Sequence, residues 1–434
     1  MPTRRLIKFI GMTFFIDVIL DIAQFHEKKD SCFMHKASEA LELILAATEN
    51  FATETVLNAE ATGCVLQEIV KAERDQPPFD RVMMDGIALS WSNYNSGQLK
   101  FPIQAIQAAG DKKLSLKSGR CIEIMTGASL PRGADSIVPI EELSILNGEA
   151  IIKNQYKLQK NRFIHPRASD YTKGKQLLSP GKRISPFDIA IIASCGKKDV
   201  VVSKDPIIRV ISTGNELIES GKPIGPHEVR MSNGPAIVSL LKSHHYKKIK
   251  HDHIGDNISK LNERLAIHLK ESNVLILSGG VSMGKADYIP QVLCNLGVKV
   301  IFHKVSQSPG KPMWFGKGPE GQLIFALPGN PVSALICCRH YVLRSLLCAS
   351  GAPKILPEYA KITSKIYFKP LLTLYKPVKL RFDKNGQTLA IPIKTNTSGD
   401  FASLSDTDGY LELPQNKTYF PKGSIARLHR WIVQ

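Results

Sequence analysis

The sequence predicts a multidomain α/β protein with one domain built on a doubly wound, mostly parallel sheet and with smaller mixed and all-β subdomains. Three observations support this fold class. Between residues 206 and 350, short apolar runs alternate with helical patterns, as in parallel strands joined by crossover helices. Two of these runs end in polar, glycine-rich turns that lead into helices. After Pro353 the pattern changes to short strands and turns, which predicts a small β-barrel or sandwich at the end of the chain.

The α/β pattern assigns an element to most of residues 206–350. The predicted strands are 207–211, 249–254, 274–277, 298–305 and 323–326. The predicted helices are 233–244, 258–270, 288–296 and 332–347. Because ligands of doubly wound sheets bind at the carboxyl ends of the strands, we expect the turns that follow these strands to form the functional site.

The remaining segments predict three further subdomains. Apolar residues from Ala37 to Leu45 repeat at helical spacing, and a second helix is expected from Pro186 to Ser194. Near the C-terminus, Asn385-Gly386 is a strong hairpin signal. The expected subdomains are a helical linker (34–76 and 162–204), a small β-rich subdomain (77–161), the α/β domain (205–352) and a C-terminal β-barrel (353–434).

Residues 1–33 do not fit this pattern. Their apolar stretch from Phe9 to Ile22 is interrupted by Asp17 and Asp21, is too short to span a bilayer and precedes no small-residue cleavage site. The segment is therefore expected to be a dispensable, disordered extension or the result of a start codon upstream of Met34. It is not interpreted as an export signal, and a cytoplasmic location with no membrane partner is expected.

The charge of the chain points to acidic partners. Lysine and arginine number 57 against 39 aspartates and glutamates, which gives a net charge of +18. Such an excess suits nucleic acid, anionic lipid or a multiply charged small substrate. No recognition-helix pattern, aromatic RNA-binding signature or long basic run is present, so nucleic acid is the less favoured interpretation.

Cysteine and histidine usage does not favour a metal site. The eight cysteines include no Cys-x-x-Cys pair, and most, Cys294 included, lie in apolar surroundings, as expected of buried free thiols in a reducing compartment. His251 and His253 belong to a histidine cluster but alternate along a predicted strand, with no cysteine or glutamate cluster nearby.

Three segments have the character of one phosphate site: Ser278–Tyr288, Ser308–Pro312 and Leu327–Ala334. The first and third follow buried apolar runs and lead into helical patterns. A glycine turn between a strand and a helix directs backbone N–H groups at one point, which favours an anion. The second segment, Ser-Pro-Gly-Lys-Pro, adds a lysine. The turn Ser212–Leu217, after the first predicted strand, is expected at the same edge of the sheet.

The order of these motifs resembles the molybdopterin molybdenumtransferase family, the MoeA proteins and the E domain of gephyrin. Besides the segments above, the matching stretches are Met84–Ala88, Ile124–Pro131 and Gly133–Asp135 with Glu141. The resemblance extends from about residue 34 to the C-terminus. It implies a central domain similar to the MogA and MoaB proteins.

The resemblance also implies a function. Members of this family are homodimers that cleave adenylylated molybdopterin, release AMP and place molybdate on the dithiolene of the pterin. A divalent cation assists, here expected to be Mg²⁺. The molybdopterin adenylyltransferase is an expected partner, because it supplies the substrate. A phosphoanhydride and an oxyanion both require donors and cations around their oxygens, which agrees with the motifs and the net charge.

The resemblance assigns roles to residues by the motif that each occupies. Substrate binding is implied for Asp85, Thr126, Thr213, Gly214, Gly279, Gly280, Ser282, Pro309, Gly310, Gly329, Asn330, Ser333 and Ser403. Catalytic roles are implied for Asp287, Glu216, Lys311 and Lys304. The Mg²⁺ ligands would be Asp287 and Glu216. Lys311, with Ser333 and Ser403, would bind molybdate.

Simpler structural roles stay open for several of these residues. Asp287 could be only a helix N-cap, Glu216 a polar surface residue and Lys304 a solvated charge at a strand end. Asp85 and Thr126 could simply shape turns.

The sequence also departs from the family pattern. Met231 stands where relatives carry an acid, and Ser308 stands where a lysine usually opens Lys-Pro-Gly. The arginines expected early in the barrel are replaced, which leaves Lys376 as a substitute. These departures motivate an alternative function, that of a catalytically weakened relative that binds pterin or nucleotide as a scaffold or regulator.

Overall fold

The structure is a computed structural model, and it describes residues 34–280 and 288–432. The chain divides into two compact units. The first contains the described residues up to Phe51, residues 205–349 and the described residues from Lys354 onward. The second contains residues 52–204 together with 350–353. The predicted extension of residues 1–33 lies outside the described part of the chain.

A six-stranded sheet forms the centre of the first unit. Its strands are β1 (Ile208–Thr213), β2 (Ile249–Ile254), β3 (Val274–Ser278), β4 (Lys299–His303), β5 (Trp314–Lys317) and β6 (Leu323–Leu327). Their spatial order is β2-β1-β3-β6-β5-β4. The first four pair in parallel, whereas β5 is antiparallel to both of its neighbours. The predicted α/β fold with a mostly parallel sheet is confirmed.

Helices cover both faces of this sheet. They are Asn233–Ser243, Ile258–Glu271, Ile289–Asn295 and one continuous helix over Pro331–Ala349. Along β3, Val274 and Ile276 belong to the core that contains the first and last of these helices, whereas Leu275 and Leu277 belong to the core that contains the other two. Because neighbouring strand residues point to opposite faces, a strand buried on both sides must be apolar throughout, as β3 is.

The prediction of one strand over 298–305 is wrong. Strand β4 ends at His303, and Lys304 adopts a positive φ of 76° that no regular strand allows. A separate strand, Val305–Ser308, then pairs with Thr373–Phe382 of the barrel. The chain therefore changes sheets at Lys304. Strand β5 was not predicted, although it is buried.

A closed β-barrel follows the α/β domain, as the sequence predicts. Its strands are Glu358–Ile362, Thr373–Phe382, Thr388–Pro392, Gly409–Leu413 and Ile425–Arg430. Pairing of Thr373–Phe382 with Gly409–Leu413 closes the ring. The Asn385-Gly386 hairpin is present between Thr373–Phe382 and Thr388–Pro392, with Gly386 at a φ of 76°.

Shorter elements complete the first unit. The predicted first helix is present as Ala37–Ala47, with Ala37, Ala40 and Ile44 buried. The preceding strand, His35–Lys36, pairs in parallel with Val305–Ser308. The two remaining ribbons are Leu217–Ile218 with Val229–Arg230 and Ile366–Tyr367 with Tyr419–Phe420, and a 3-10 turn covers Ala402–Leu404.

The second unit contains a six-stranded sheet of its own. In spatial order the strands are Ser136–Pro139, Gly86–Leu89, Cys121–Ile124, Lys100–Gln107, Glu149–Ile152 and Leu143–Leu146. Three ribbons accompany it: Thr53–Leu57 with Asp199–Ser203, Val70–Lys71 with Gln176–Leu178 and Arg81–Val82 with Ile164–His165. Helices are present at Trp91–Asn95 and Pro186–Ser194, and 3-10 turns at Asn58–Glu60 and Ile140–Glu142. A reciprocal capping pair of Ser185 and Asp188 starts the Pro186–Ser194 helix.

Within the described residues, the helix Pro331–Ala349 is long and apolar enough to cross a membrane, but 78% of its apolar window is buried inside the protein. It is therefore a core helix of the α/β domain. Residues Cys338–Val342 within it form a π-helical turn.

The cysteines of the described residues are all free. Cys121, Cys195, Cys337 and Cys338 are buried, as expected. Cys294, which the sequence places in apolar surroundings, is exposed, because it lies on the solvent side of its short helix.

Candidate functional site

Two glycine turns lie side by side where strands β3 and β6 end. The strands pair in parallel with Ser278 opposite Leu327, so Gly279 and Gly329 follow at the same edge of the sheet. The N–H of Gly279 donates to the carbonyl of Leu327 at 3.3 Å. A Cβ atom added to Gly329 would lie 3.7 Å from the Cα of Gly279. The first and third sequence motifs are therefore in backbone contact.

The turn after β3 requires glycine. Gly279 and Gly280 have φ values of +102° and +64°, a region that other residues rarely adopt. A Cβ atom at Gly279 would lie 2.7 Å from the carbonyl oxygen of Thr213, which is backbone and cannot move aside. The turn thus presents its backbone, without side chains, to the space above the sheet.

Asn233 connects the two turns. Its Nδ2 donates to Ser278 Oγ at 2.9 Å and to the carbonyl of Gly329 at 2.7 Å. Both hydrogens of the amide are therefore used to hold the turns together. We did not predict this role, and the only sequence signal is the position of Asn233 at the start of its helix.

The turn after β1 forms the third wall. The Thr213 hydroxyl lies 3.5 Å from the carbonyl of Ser278, and Gly214 has a φ of +137° with the Glu216 carboxylate packed where a Cβ would be. His253 Nε2 donates to the carbonyl of Gly214 at 2.8 Å. His251 Nε2 lies 2.9 Å from the Ser212 hydroxyl. The two histidines thus support this turn.

These turns enclose a first cleft of about 410 Å³. Its described lining residues are Ser212, Thr213, Glu216, Leu217, Val229, Arg230, Met231, Ser232, Asn233, Ser278, Gly279, Gly329, Asn330, Pro331, Gly399 and Phe401. The charged side chains among them are Glu216 and Arg230, which nearly balance. Met231 is buried and adds an apolar side chain where the family resemblance expects an acid. The first cleft is therefore a site built mainly from backbone.

The Pro309–Pro312 turn is held from below by Gln307, which is fully buried. Gln307 Nε2 donates to the carbonyl of Pro309 at 3.1 Å. The carbonyl of Lys311 accepts from the N–H of Val305 at 2.9 Å. The Ser308-Pro309 peptide is cis. The turn is thus fixed to the strand that precedes it.

This turn forms one wall of a second cleft of about 540 Å³. The other described walls come from the start of the Pro331–Ala349 helix and from the barrel: Pro328, Asn330, Val332, Ser333, Ile366, Tyr367, Phe368, Leu372, Leu374, Tyr375, Lys376, Pro377, Thr395, Asn396, Thr397 and Ser398. Lys311 and Lys376 both line it, and the described lining residues include no aspartate or glutamate. The second cleft is therefore positively charged.

Lys376 is partly buried on strand Thr373–Phe382. Burial lowers the pKa of its ammonium group below the ordinary lysine value, because desolvation disfavours the charged form. Lys376 occupies the region in which the resemblance expects arginines. Lys376 therefore supplies a cation to the second cleft, in which Ser308 stands where the family pattern has a lysine.

Asn330 links the two clefts, since it lines both. Its Nδ2 donates to Ser398 Oγ at 2.7 Å, and the carbonyl of Ser398 accepts from the N–H of Val332 at 3.1 Å. A loop of the barrel is thereby attached to the turn after β6. We did not predict Ser398, because nothing local in the sequence marks it.

Two other residues singled out from the sequence lie outside the described walls of these clefts. Lys304 is the residue with positive φ between β4 and Val305–Ser308, and its N–H donates to the carbonyl of Met313 at 2.8 Å. The Ser403 hydroxyl donates to the carbonyl of Asp400 at 2.7 Å. Ser282 and Asp287 lie outside the described residues.

Asp85 and Thr126 belong to the second unit, where they contact each other. The N–H of Thr126 donates to Asp85 Oδ1 at 2.6 Å. This hydrogen bond is the main reason why the pKa of the Asp85 carboxyl is below its ordinary value. Both side chains are exposed, and the pair shapes a turn while presenting an ionised carboxylate.

Comparison with known proteins identifies relatives of most of the chain from residue 35 onward. Three family models match in succession: the MoeA N-terminal region (domain I and II) at residues 35–196, the probable molybdopterin binding domain at 209–347 and the MoeA C-terminal region (domain IV) at 359–429.

Individual relatives and solved structures give the same result. A molybdopterin molybdenumtransferase of Synechocystis is 38% identical over 92% of this chain and 100% of its own length. One from Staphylococcus epidermidis is 30% identical over 85% of this chain and 88% of its own length. A crystal structure of a molybdopterin biosynthesis MoeA protein from Pyrococcus horikoshii matches with a TM-score of 0.78 at 27% identity, and covers 93% of this chain and 100% of that one.

Proposed function

This chain belongs to the MoeA family of molybdopterin molybdenumtransferases, and from that premise we propose that it inserts molybdate into adenylylated molybdopterin with release of AMP. It is a transferase of molybdenum cofactor biosynthesis. The observation that carries the proposal is the pair of adjoining clefts that share Asn330. One cleft suits phosphate, and the other suits an oxyanion.

The first cleft binds the phosphates of the adenylylated substrate. The turns at Gly279 and Gly329 expose backbone at the carboxyl ends of β3 and β6, where doubly wound sheets bind ligands. Oriented backbone dipoles stabilise negative charge that develops on phosphate oxygens when the anhydride bond breaks and AMP leaves. Asn233 keeps the two turns in register.

The second cleft binds molybdate. Lys311 and Lys376 supply positive charge, and Ser333 supplies a hydroxyl. With no carboxylate among the described lining residues, nothing there competes with the oxyanion for these cations. The aromatic and aliphatic residues of the barrel wall limit the entry of water, which strengthens each electrostatic contact.

Mg²⁺ is the cation proposed for the first cleft. The described residues contain no group of three His, Cys, Asp or Glu side chains that could hold a metal alone. Mg²⁺ usually binds through one or two carboxylates together with substrate phosphates, so this donor set fits. Glu216 would be one ligand, and Asp287, outside the described residues, the other. When bound, the ion would neutralise charge on the phosphate oxygens.

The chain is proposed to act as a cytoplasmic homodimer that receives its substrate from the molybdopterin adenylyltransferase. The family resemblance supports the dimer, and the free cysteines of the described residues suit a reducing compartment. Light scattering at micromolar concentration is expected to give twice the chain mass of 48.0 kDa. The monomer mass would contradict this.

The test of function is complementation. Expression of the full chain in cells that lack their own insertion enzyme is expected to restore molybdoenzyme activity, and Lys311→Met is expected to fail at equal protein level. Lys304→Met, which changes a lysine outside both described clefts, is the matched control and is expected to complement.

The alternative of a scaffold or regulator is not favoured, because Lys376 supplies a cation to the cleft that Ser308 weakens. A chain that binds AMP and molybdate in vitro but restores no activity would support that alternative instead.

A further inference from the structure

A buried amide lies directly beneath the second cleft. Gln307 is fully buried and places Nε2 3.1 Å from the carbonyl of Pro309 and 3.4 Å from Cys337 Sγ. It therefore draws the Pro309 carbonyl toward the protein interior. Because the chain continues at once into Gly310 and Lys311, the direction of that carbonyl determines how the rest of the turn faces the cleft.

The turn packs closely against the side chains of Gln307 and Cys337. Gly310 has a φ of +98°, and a Cβ atom added to it would lie 2.5 Å from both Cys337 Sγ and Gln307 Nε2. The N–H of Met313 donates to the carbonyl of Gly310 at 3.3 Å. The backbone thus packs directly on the amide of Gln307. A displacement of that amide would displace the turn.

Tyrosine and histidine side chains fix Gln307 in turn. The Tyr341 hydroxyl donates to Gln307 Oε1, and its ring packs edge-on against His340 with the ring centroids 4.8 Å apart. The Tyr375 hydroxyl lies 3.0 Å from His340 Nε2, and His340 Nδ1 lies 3.2 Å from the Tyr410 hydroxyl. All four of these side chains are buried. The network runs from the turn of the second cleft into the barrel.

The π-helical turn Cys338–Val342 contains two members of this network. It places His340 and Tyr341 next to each other in the core, one near Tyr375 and Tyr410 and the other near Gln307. Single π-helical turns inside α-helices occur frequently at functional sites.

We propose that Gln307 is a positioning residue for the oxyanion of the second cleft, and that Tyr341 holds its amide in the orientation that this role needs. Tyr341 occupies the acceptor oxygen, so Nε2 faces Pro309. With the amide reversed, Oε1 would face the Pro309 carbonyl and the two oxygens would repel. The inference rests on the proposed function, since it takes the second cleft as the molybdate site.

A purely structural role explains these contacts less well. A buried polar network is no more stabilising than well-packed apolar residues of the same shape, but it specifies one geometry. Here the geometry that it specifies is that of Pro309–Lys311, a wall of the cleft. Positioning of a binding group is sensitive to small shifts, whereas overall stability is not.

The experiment is calorimetric titration of the full chain with sodium molybdate, together with the melting temperature of each variant. Gln307→Met keeps the volume and removes all three hydrogen bonds of the amide, those with Pro309, Cys337 and Tyr341. It is expected to weaken molybdate binding about tenfold, because the turn loses its fixed geometry. Tyr341→Phe is expected to weaken binding severalfold, and the double variant no more than Gln307→Met alone, since the two residues act as a unit.

Tyr410→Phe is the matched control. It removes an equally buried hydroxyl at the far end of the network and is expected to lower the melting temperature while leaving molybdate affinity within about twofold of wild type. If Gln307→Met lowers the melting temperature but keeps wild-type affinity, Gln307 is only structural and the proposal is overturned. If Gln307→Met does not fold, Tyr341→Phe takes its place: a lower melting temperature with wild-type molybdate affinity in that variant overturns the proposal.

Lys311→Met separates this inference from the proposed function. If wild type does not bind molybdate, or Lys311→Met binds it equally well, the assignment of the cleft fails and the positioning role with it. If Lys311→Met weakens binding and the Gln307 and Tyr341 variants do not, only the positioning role fails.

Discussion

The two clefts adjoin at Asn330 but are built in opposite ways. The first is formed by turns at the ends of neighbouring strands, and its charged lining side chains, Glu216 and Arg230, nearly balance. The second carries Lys311 and Lys376 with no carboxylate among its described lining residues, and half of its wall belongs to the barrel. Backbone makes the first anion site, and side chains make the second.

This difference determines which ligand each cleft suits. A backbone cradle follows the extended oxygens of a phosphoanhydride and depends on shape, so it is sensitive to changes at glycine. Two lysines in a partly apolar cavity provide strong but less directional attraction, which suits a compact dianion such as molybdate.

The largest effect is expected for Asp287→Asn. The substitution keeps the shape of the side chain but removes the charge that would hold Mg²⁺ at the phosphates of the first cleft. AMP release is expected to fall by about 10²-fold, the scale of losing one electrostatic stabiliser, with substrate binding largely kept. Single-turnover assays at matched substrate occupancy measure this. Equal rates would mean that Asp287 serves only as a structural cap.

Gly279→Ala tests whether backbone makes the first cleft. The new Cβ would lie 2.7 Å from the Thr213 carbonyl oxygen, so the turn must shift. AMP affinity is expected to fall about tenfold and the melting temperature by about 6 °C. Gly221→Ala is the control, because Gly221 also has a positive φ but open space around it, and about 2 °C is expected there. If Gly221→Ala lost as much AMP affinity and melting temperature as Gly279→Ala, backbone strain alone would explain both variants, and the backbone of the first cleft would have no special role.

A pH dependence is expected in the second cleft. Since burial lowers the pKa of Lys376, this side chain loses its charge at a lower pH than an ordinary lysine. Molybdate affinity is therefore expected to decline as the pH rises through that value. Lys376→Arg, which stays charged, is expected to shift the decline to higher pH and to improve binding at alkaline pH about threefold. A titration series measures this, and identical profiles would place Lys376 outside the site.

The smallest effect concerns Lys304, which we place outside both described clefts. Lys304→Gly removes the strain of a positive φ and is expected to stabilise the protein by about 1 kcal/mol. AMP release and molybdate affinity are expected to stay unchanged. A loss of turnover with unchanged stability would instead restore the catalytic role that the family resemblance implies.

Much of the first cleft could be anticipated because its signals are local. Glycine turns directly after buried apolar runs predict exposed backbone N–H groups at the end of a strand. Parallel pairing of β3 with β6 then brings Gly279 and Gly329 together. Asn233 could not be anticipated in the same way. Its partners, Ser278 and Gly329, are 45 and 96 residues away.

The second cleft was harder to predict because its walls are distant in sequence. The motif Ser308–Pro312 indicated Lys311, but the barrel residues that face it follow more than fifty positions later, with no local motif around Ser398. The change of sheets at Lys304 was also missed. The run 298–305 is rich in β-branched and aromatic residues, which suggests one strand, whereas the structure divides it at Lys304, which has a positive φ.

We assign phosphate binding to the first cleft and molybdate binding to the second. This assignment is tested most directly by measuring the affinity for both AMP and molybdate in one variant of each cleft. Asn233→Asp removes both amide donors that hold the first cleft and adds negative charge, whereas Lys311→Met removes a cation from the second. We expect Asn233→Asp to weaken AMP binding about tenfold and to leave molybdate affinity unchanged. We expect Lys311→Met to weaken molybdate binding about tenfold and to leave AMP affinity unchanged. If each variant weakened both ligands equally, or if Lys311→Met weakened AMP alone, the assignment of two separate anion sites would be contradicted.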